Sequence, residues 1–284
     1  MSSGREGRVL SSGGVWLHFH AWEASSPRRA LAVVHGLGEH GGRYAAFGAW
    51  LAERGTSVWA IDVRGMGQSG GPRGQLGSWT EWLDDLRRLW TTVERESPGA
   101  EIVPFGHSVG GVVVASAVLR GVLRPRRFVL SNPAFRVRMP VPGWKRALGA
   151  VAERVTPRLT MPSGIDPRLL ARDPAVGEAY VSDPWVHDRL SAGLYGEWMR
   201  AGREVVQHAR DLRTPYLLLL SPEDPIIDPR ASEEFERATA VGQVVRRYPD
   251  RWHEPLNDLG REEVFADVLA WLQSGARNGR MIAE

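Results

Sequence analysis

The segment Gly106-His107-Ser108-Val109-Gly110 constrains the fold more than any other feature of the chain. It follows an apolar run at residues 102–105 and precedes a small, apolar stretch at residues 112–119. A G-x-S-x-G segment between a strand and a helix forms a tight turn, because residues larger than glycine two positions before or after the serine would not clear their neighbours. The sequence therefore predicts a strand, a turn and a helix here, with Ser108 as a candidate nucleophile.

Short apolar runs alternate with helical patterns along much of the chain. The runs are residues 30–34, 57–61, 102–105, 128–130, 216–220 and 244–248, and residues 9–19 are typical of an opening hairpin. Helices are predicted at residues 81–94, with a capping box from Ser78 to Glu81, and at residues 112–119 and 262–272. Alternating strands and helices predict a mostly parallel sheet flanked by helices. Pro104 cannot donate a ladder hydrogen bond, so we expect a bulge or a frayed strand end there.

One long region breaks this alternation. Residues 132–212 are rich in proline and have no recognisable strand pattern, and their longest predicted helix is near residues 190–209. We interpret this region as a helical lid inserted into a core made of residues 1–131 and 213–284. The large apolar side chains noted in the insertion are Met139, Trp144, Met161, Trp185 and Trp198.

The composition narrows the chemistry and the partners. The chain has 284 residues and no cysteine, which excludes disulfides, thiolate catalysis and cysteine metal sites. Its net charge of +3 comes from arginines scattered among acids, with no long basic run, so no nucleic-acid partner is expected. No stretch approaches the ~18 apolar residues of a membrane span, and the first ten residues lack the apolar part of an export signal. We therefore expect a cytoplasmic protein that can bind peripherally to membranes.

A second glycine-rich loop, His35-Gly36-Leu37-Gly38-Glu39-His40, follows the apolar run at residues 30–34. Glycines here would let the backbone approach a reacting oxygen, and the N–H groups of Leu37 and Val109 are the predicted oxyanion donors. For His35 and His40 we favour a structural role, orienting the loop, over a catalytic one. A metal site at these histidines would need more ligands nearby, so no metal is expected.

The segment at residues 62–69 also follows a strand and contains Asp62, Arg64 and two glycines. Asp62 could be catalytic, but we favour a structural turn between Asp62 and Arg64. The glycine spacing falls short of a dinucleotide fingerprint and no helix opens directly after it, so no nucleotide cofactor is expected.

A serine nucleophile needs a histidine base and an acid that orients the base. On folds with this type of turn, the acid and then the histidine follow the serine along the chain. Three histidines come later, of which His187 and His208 fall in the predicted lid and His253 in a loop after a strand. The sequence therefore predicts His253 as the base. Asp224, just past the run at residues 216–220, is favoured as the acid over Asp228, and Glu223 and Glu254 are expected to be exposed.

These motifs together resemble the monoacylglycerol lipase and lysophospholipase branch of the α/β hydrolases. Residues 35–44 look like that family's HGxGEHxGRY loop, residues 62–69 its DxRGxGxS segment and residues 106–111 its GHSxGG turn. The resemblance implies an eight-stranded, mostly parallel sheet with a helical lid over an acyl-chain channel. It also implies Ser108 as nucleophile, Asp224 as acid and His253 as base, with Leu37 and Val109 as oxyanion donors. The acid loop departs from the family, since Ser221-Pro222-Glu223-Asp224-Pro225 replaces a glycine-led turn.

The favoured function is therefore cleavage of carboxylic esters through an acyl-enzyme, with a monoacylglycerol or lysophospholipid as substrate. A short-chain carboxylesterase, an amidase or peptidase, and an acyltransferase use the same catalytic groups and stay open as alternatives. A non-catalytic ligand-binding protein is the alternative from another class. The apolar lid residues would either admit an acyl chain and touch a membrane, or simply pack on the core.

Overall fold

The computed structural model describes residues 4–138 and 151–274, and eight strands in this part form one sheet. The strands are β1 (Arg5–Leu10), β2 (Trp16–Trp22), β3 (Arg29–Val34), β4 (Thr56–Ile61), β5 (Glu101–His107), β6 (Phe128–Ser131), β9 (Tyr216–Leu220) and β10 (Val244–Arg247). Their order in the sheet is β1-β2-β4-β3-β5-β6-β9-β10. The pairs β1/β2 and β2/β4 are antiparallel and the others are parallel. The mostly parallel eight-stranded sheet is thus confirmed.

Each predicted apolar run coincides with a strand, except that the run at residues 244–248 extends one residue past the end of β10, and the opening hairpin pairs as expected. The central strands are buried on both faces, which explains their continuous apolar runs. No bulge forms at Pro104, because β5 stays in register with β3 from Glu101 to Gly106. Pairing of β5 with β6 begins only at Phe105, so the proline precedes the doubly paired part of the strand.

Helices cover both faces of the sheet. One face carries α1 (Ala45–Ala52) and α7 (Arg261–Gln273), and the other carries α2 (Trp79–Glu96), α3 (Val109–Leu119), α5 (Ala192–Gln207) and α6 (Pro229–Ala238). Each layer buries its own apolar core against the sheet. Among the described residues, no helix combines the length and apolarity needed to cross a membrane.

The start of α2 differs from the predicted capping box. The Ser78 Oγ accepts from the Thr80 N–H at 3.4 Å, and the Glu81 carboxylate accepts from Gly77 at 3.0 Å instead of from Ser78. The helix still begins directly after Ser78. The side chains of Ser78 and Glu81 therefore accept hydrogen bonds from the N–H groups of Thr80 and Gly77, and not from each other's backbone.

The insertion contains a small sheet that the sequence did not predict. Strands β7 (Thr160–Pro162) and β8 (Arg189–Ser191) pair antiparallel, and helix α4 (Pro174–Ser182) lies between them in sequence. Helix α5 packs its apolar face against α3 and belongs to the larger core cluster. Met139 and Trp144, noted above in the insertion, lie outside the described residues. The division of the chain at residues 132 and 212 stays a prediction.

Candidate active site

Ser108 occupies a strained turn between β5 and α3. Its backbone has φ +52° and ψ −121°, a conformation that non-glycine residues rarely adopt. A Cβ on Gly106 would overlap the Gly110 carbonyl, and one on Gly110 would overlap the carbonyl of Val34 on the neighbouring strand. Only glycines at these two positions allow the turn, as the sequence pattern indicates.

The structure brings Ser108, His253 and Asp224 together. His253 Nε2 lies 2.9 Å from the Ser108 Oγ, and His253 Nδ1 lies 2.7 Å from Asp224 Oδ2. The other carboxylate oxygen of Asp224 accepts from the N–H groups of Ile226 and Ile227, which fixes its orientation. All three side chains are buried.

Asp228, the alternative acid, does not contact His253. Its carboxylate accepts from the Arg230 N–H at the start of α6 and pairs with the Arg230 guanidinium at 2.9 Å. It therefore acts as the N-cap of this helix. Of the two aspartates considered from the sequence, Asp224 alone has the geometry that a triad acid needs.

The surroundings of His253 set its protonation. Burial alone would lower its pKa, but the adjacent Asp224 carboxylate favours the imidazolium, and the pKa of His253 rises above its ordinary value. His107 packs on it with ring centroids 4.9 Å apart. Burial, together with the charge on His253, lowers the pKa of His107 to about 4, so His107 is neutral at pH 7.

The glycine loop after β3 lies directly against the turn at Ser108. A Cβ on Gly36 would come within 3.1 Å of the Ser108 Cβ, so glycine allows the closest approach of the two loops. The Gly36 N–H is occupied by the Glu39 carboxylate at 2.6 Å. The N–H groups of Leu37 and Val109 have no acceptor among residues 4–138 and 151–274, as oxyanion donors require.

A buried ion-pair network joins this loop to the His253 loop. Arg43 pairs with both oxygens of Glu254 at 2.7 Å and with Glu39 at 2.9 Å. Tyr44 also donates to Glu39. The expectation that Glu254 is exposed was wrong: it is 4% exposed, because its bidentate pairing with Arg43 compensates its burial. Burial would raise the pKa of Glu254, but the charge of Arg43 holds it well below the ordinary value.

Asn132, which the sequence analysis did not single out, connects the acid and base loops. It follows β6 with φ +38° and is fully buried. Its amide donates to the carbonyls of Trp252 and His253 and to the Ser221 Oγ, and its oxygen accepts from the Ser221 N–H at 2.8 Å. The one signal in the sequence was an asparagine just after a predicted strand, because asparagine tolerates the positive φ that a tight turn at a strand end requires.

The remaining loop residues have structural contacts. His35 Nε2 accepts from the Val63 N–H, and Asp62 accepts from the N–H groups of Gly41 and Gln68. Asp62 and Arg64 do not pair, however.

Arg64 pairs instead with Asp85 of α2 and contacts Ser12. Two insertion residues reach the glycine loop, since Asp183 lies 2.9 Å from His40 Nε2 and the His187 N–H donates to Gly38. His187 of the predicted lid thus contacts the glycine loop through its backbone. Glu223 is exposed, as expected.

Ser108, Asp224 and His253 follow the carboxyl ends of the parallel strands β5, β9 and β10. Together with the strand order of the sheet, this arrangement defines an α/β hydrolase. The sequence profile of the family described as serine aminopeptidase, S33, matches residues 25–260. The monoacylglycerol lipase of Mycolicibacterium smegmatis is 30% identical over 265 residues, which cover 92% of this chain and 94% of the relative. An uncharacterized abhydrolase domain-containing protein of Dictyostelium discoideum is 29% identical over 276 residues, but this chain spans only 29% of its length.

Solved structures give the same result. The crystal structure of Paleococcus ferrophilus monoacylglycerol lipase superposes with a TM-score of 0.82 and 31% identity, covering 91% of this chain and 98% of that one. The chain belongs to the monoacylglycerol lipase-like branch of the serine aminopeptidase S33 family of α/β hydrolases. The resemblance seen in the motifs is thereby confirmed, as is the predicted enzyme class, a carboxylic ester hydrolase.

Proposed function

We propose that this protein cleaves carboxylic esters with Ser108 as nucleophile, His253 as general base and Asp224 as the acid that orients it. The observation that carries the proposal is the continuous hydrogen-bond chain from Ser108 through His253 to Asp224, with distances of 2.9 and 2.7 Å. A serine hydroxyl is a poor nucleophile until a positioned base takes its proton. In this hydrogen-bond arrangement His253 is the base, and Asp224 holds its imidazole in the orientation that the reaction needs.

The reaction proceeds in two halves. His253 takes the Ser108 proton while the Oγ attacks the ester carbonyl, and the N–H groups of Leu37 and Val109 stabilise the oxyanion. The imidazolium then gives its proton to the departing alcohol, which leaves an acyl group on Ser108. Water, deprotonated by His253, attacks this acyl-enzyme and releases the carboxylic acid and free Ser108.

The proposed substrate is a monoacylglycerol or a lysophospholipid. Two relatives of known name are monoacylglycerol lipases at about 30% identity. The insertion at residues 132–212, which we propose as the lid, adjoins the site. The Leu170 carbonyl accepts from the Glu254 N–H, next to His253. Asp183 and His187 contact the glycine loop. A lid with apolar residues suits a substrate with one acyl chain.

The insertion also exposes apolar side chains that suit contact with a lipid surface. They are Val151, Val155, Leu159, Met161, Val181 and Trp185. Six of the nine large apolar side chains that are exposed in the described residues lie in this insertion. We therefore include transient membrane contact through the lid in the proposal.

A fluorophosphonate probe tests the nucleophile. We expect intact mass spectrometry to show one adduct on the parent chain and none on Ser108→Ala. The variant should keep its thermal unfolding transition, since the substitution removes a single hydroxyl oxygen. Labelling of Ser108→Ala, or an unlabelled but folded parent chain, would contradict the assignment, and the second result would favour a ligand-binding protein.

A panel of esters then tests the substrate. We expect kcat/KM to rise from short soluble esters to long-chain monoacylglycerol or lysophospholipid. Equal or higher values for the short esters would favour a carboxylesterase. The family description names a serine aminopeptidase, so an aminoacyl p-nitroanilide belongs in the panel. Preference for that amide would replace the ester proposal with a peptidase.

A further inference from the structure

Three side chains on the β1–β2 hairpin converge outside the proposed triad. His18 and His20 lie two residues apart on β2 and therefore on the same face of the strand. Glu6 of β1 lies opposite His20 in the antiparallel register. Its carboxylate is 3.4 Å from His18 Nε2 and 3.5 Å from His20 Nδ1. One potential ligand atom from each residue falls within 4.8 Å of the other two.

The two imidazoles are buried but incompletely hydrogen-bonded. His20 is 7% exposed, and within residues 4–138 and 151–274 neither of its ring nitrogens has a hydrogen-bond partner. Its Nε2 lies 3.7 Å from the Asp62 carboxylate, too far for a hydrogen bond. His18 Nδ1 is also buried without a partner. These two buried nitrogens are the ring atoms that do not face Glu6, so the nitrogens directed at the carboxylate are His18 Nε2 and His20 Nδ1.

We propose that Glu6, His18 and His20 bind a divalent transition-metal ion, with zinc as the best fit. Zinc takes neutral imidazole nitrogens and carboxylate oxygens at about 2.0–2.2 Å, which places two ligand atoms of a tetrahedral site roughly 3.4 Å apart. His18 Nε2 lies 3.4 Å from Oε2 of Glu6, and His20 Nδ1 lies 3.5 Å from its Oε1. Each N···O separation is close to this edge length, and the two involve different oxygens of the carboxylate. Two histidines and one carboxylate leave a fourth position for water or another oxygen.

The second nitrogen of His20 faces another carboxylate. With Nδ1 on the ion, the Nε2–H would point toward Asp62, whose Oδ1 lies 3.7 Å away. A carboxylate behind a metal-bound histidine commonly orients the ring, and a shift of a few tenths of an ångström would close this contact to a hydrogen bond.

Gln68 is placed to complete the site. Its amide nitrogen donates to His18 Nε2 at 3.2 Å. Rotation of the amide by 180° would bring its oxygen to the same place, where it would face an ion instead of the imidazole lone pair. The earlier expectation of no metal rested on the loop histidines His35 and His40, which are not among these ligands.

Zinc titration tests the proposal on the full chain. The protein, stripped with EDTA and desalted, is titrated with zinc chloride in competition with a chromogenic zinc chelator. We expect one equivalent to bind with a Kd in the micromolar range or tighter, and its affinity to fall at least tenfold in His20→Ala and in Glu6→Gln. His208→Ala is the matched control, because His208 is an exposed histidine outside the group.

A second measurement separates lost binding from lost folding. Glu6 is exposed, so Glu6→Gln should keep the zinc-free Tm and the hydrolysis of a soluble ester. Zinc should raise the Tm of the parent chain and of His208→Ala but not that of Glu6→Gln. If His20→Ala does not fold, Glu6→Gln decides alone. Failure of the parent chain to bind zinc, or unchanged affinity in Glu6→Gln, would overturn the proposal.

Discussion

The imidazole of His253 determines how the proposed reaction depends on pH. A general base acts only when neutral, so activity is lost as the pH falls through its pKa. Burial lowers that pKa, but the Asp224 carboxylate outweighs this effect and raises it above the ordinary value of a histidine. We expect Asp224→Asn to move the acidic limb of the kcat/KM profile to lower pH and to reduce the plateau by roughly 10³- to 10⁴-fold.

The matched control for this prediction is Asp228→Asn. Asp228 caps α6 and does not contact His253, so the change should leave the acidic limb in place. Its effect should be confined to a stability loss of about 1 kcal/mol or less from the altered cap. An acidic limb that moves in Asp228→Asn and not in Asp224→Asn would reverse the assignment of the acid.

Which residues could be predicted from the sequence depends on the range of their interactions. Ser108 is set by a local turn whose glycines are visible in five consecutive residues. The partner of Glu254 is Arg43, 211 positions earlier, so its burial has no local signal. Asn132 similarly acts through Ser221, Trp252 and His253, which only the folded sheet brings near it.

The same contrast applies to whole elements. Strands of the central sheet have long apolar runs because both faces are covered, and these runs are readable in sequence. Strands β7 and β8 have three residues each, and neither has more than two buried or half-buried positions. They are too short to show an alternation of apolar and polar residues in the sequence. Short edge pairs of this kind form because the surrounding chain brings them together.

The ion pair between Arg43 and Glu254 couples two loops that the sheet alone does not join. Removing one partner of a buried pair leaves the other charge poorly compensated, at a cost of about 3–5 kcal/mol. Arg43 keeps Glu39, so we expect Glu254→Gln to lower the free energy of unfolding by roughly 3 kcal/mol, the lower end of that range. Urea unfolding followed by fluorescence measures this change.

Glu223→Gln provides the comparison for Glu254→Gln. Glu223 is exposed and pairs with Arg172 at 2.9 Å on the surface. Solvent screens such a pair, so the change should alter the free energy of unfolding by about 0.5 kcal/mol or less. Equal losses in the two variants would show that the buried network contributes no more than a surface contact.

Across the whole molecule, the core and the insertion present different surfaces. The insertion exposes Val181 at 72% and Trp185 at 42% beside the residues that contact the glycine loop. If this surface enters a bilayer, a charge there must be desolvated on binding. We expect Val181→Asp to weaken binding to phosphatidylcholine vesicles on the order of tenfold, measured by co-sedimentation in a Ser108→Ala background that prevents turnover.

Leu259→Asp controls for the general effect of an added surface charge. Leu259 is 62% exposed but belongs to the predicted core rather than to the insertion. It should leave vesicle binding unchanged, and Val181→Asp in the active chain should keep the parent kcat/KM on a short soluble ester. Equal loss of binding in both variants would mean that charge alone, and not a lid surface, determines the association. Unchanged binding in both variants would contradict membrane contact through this surface.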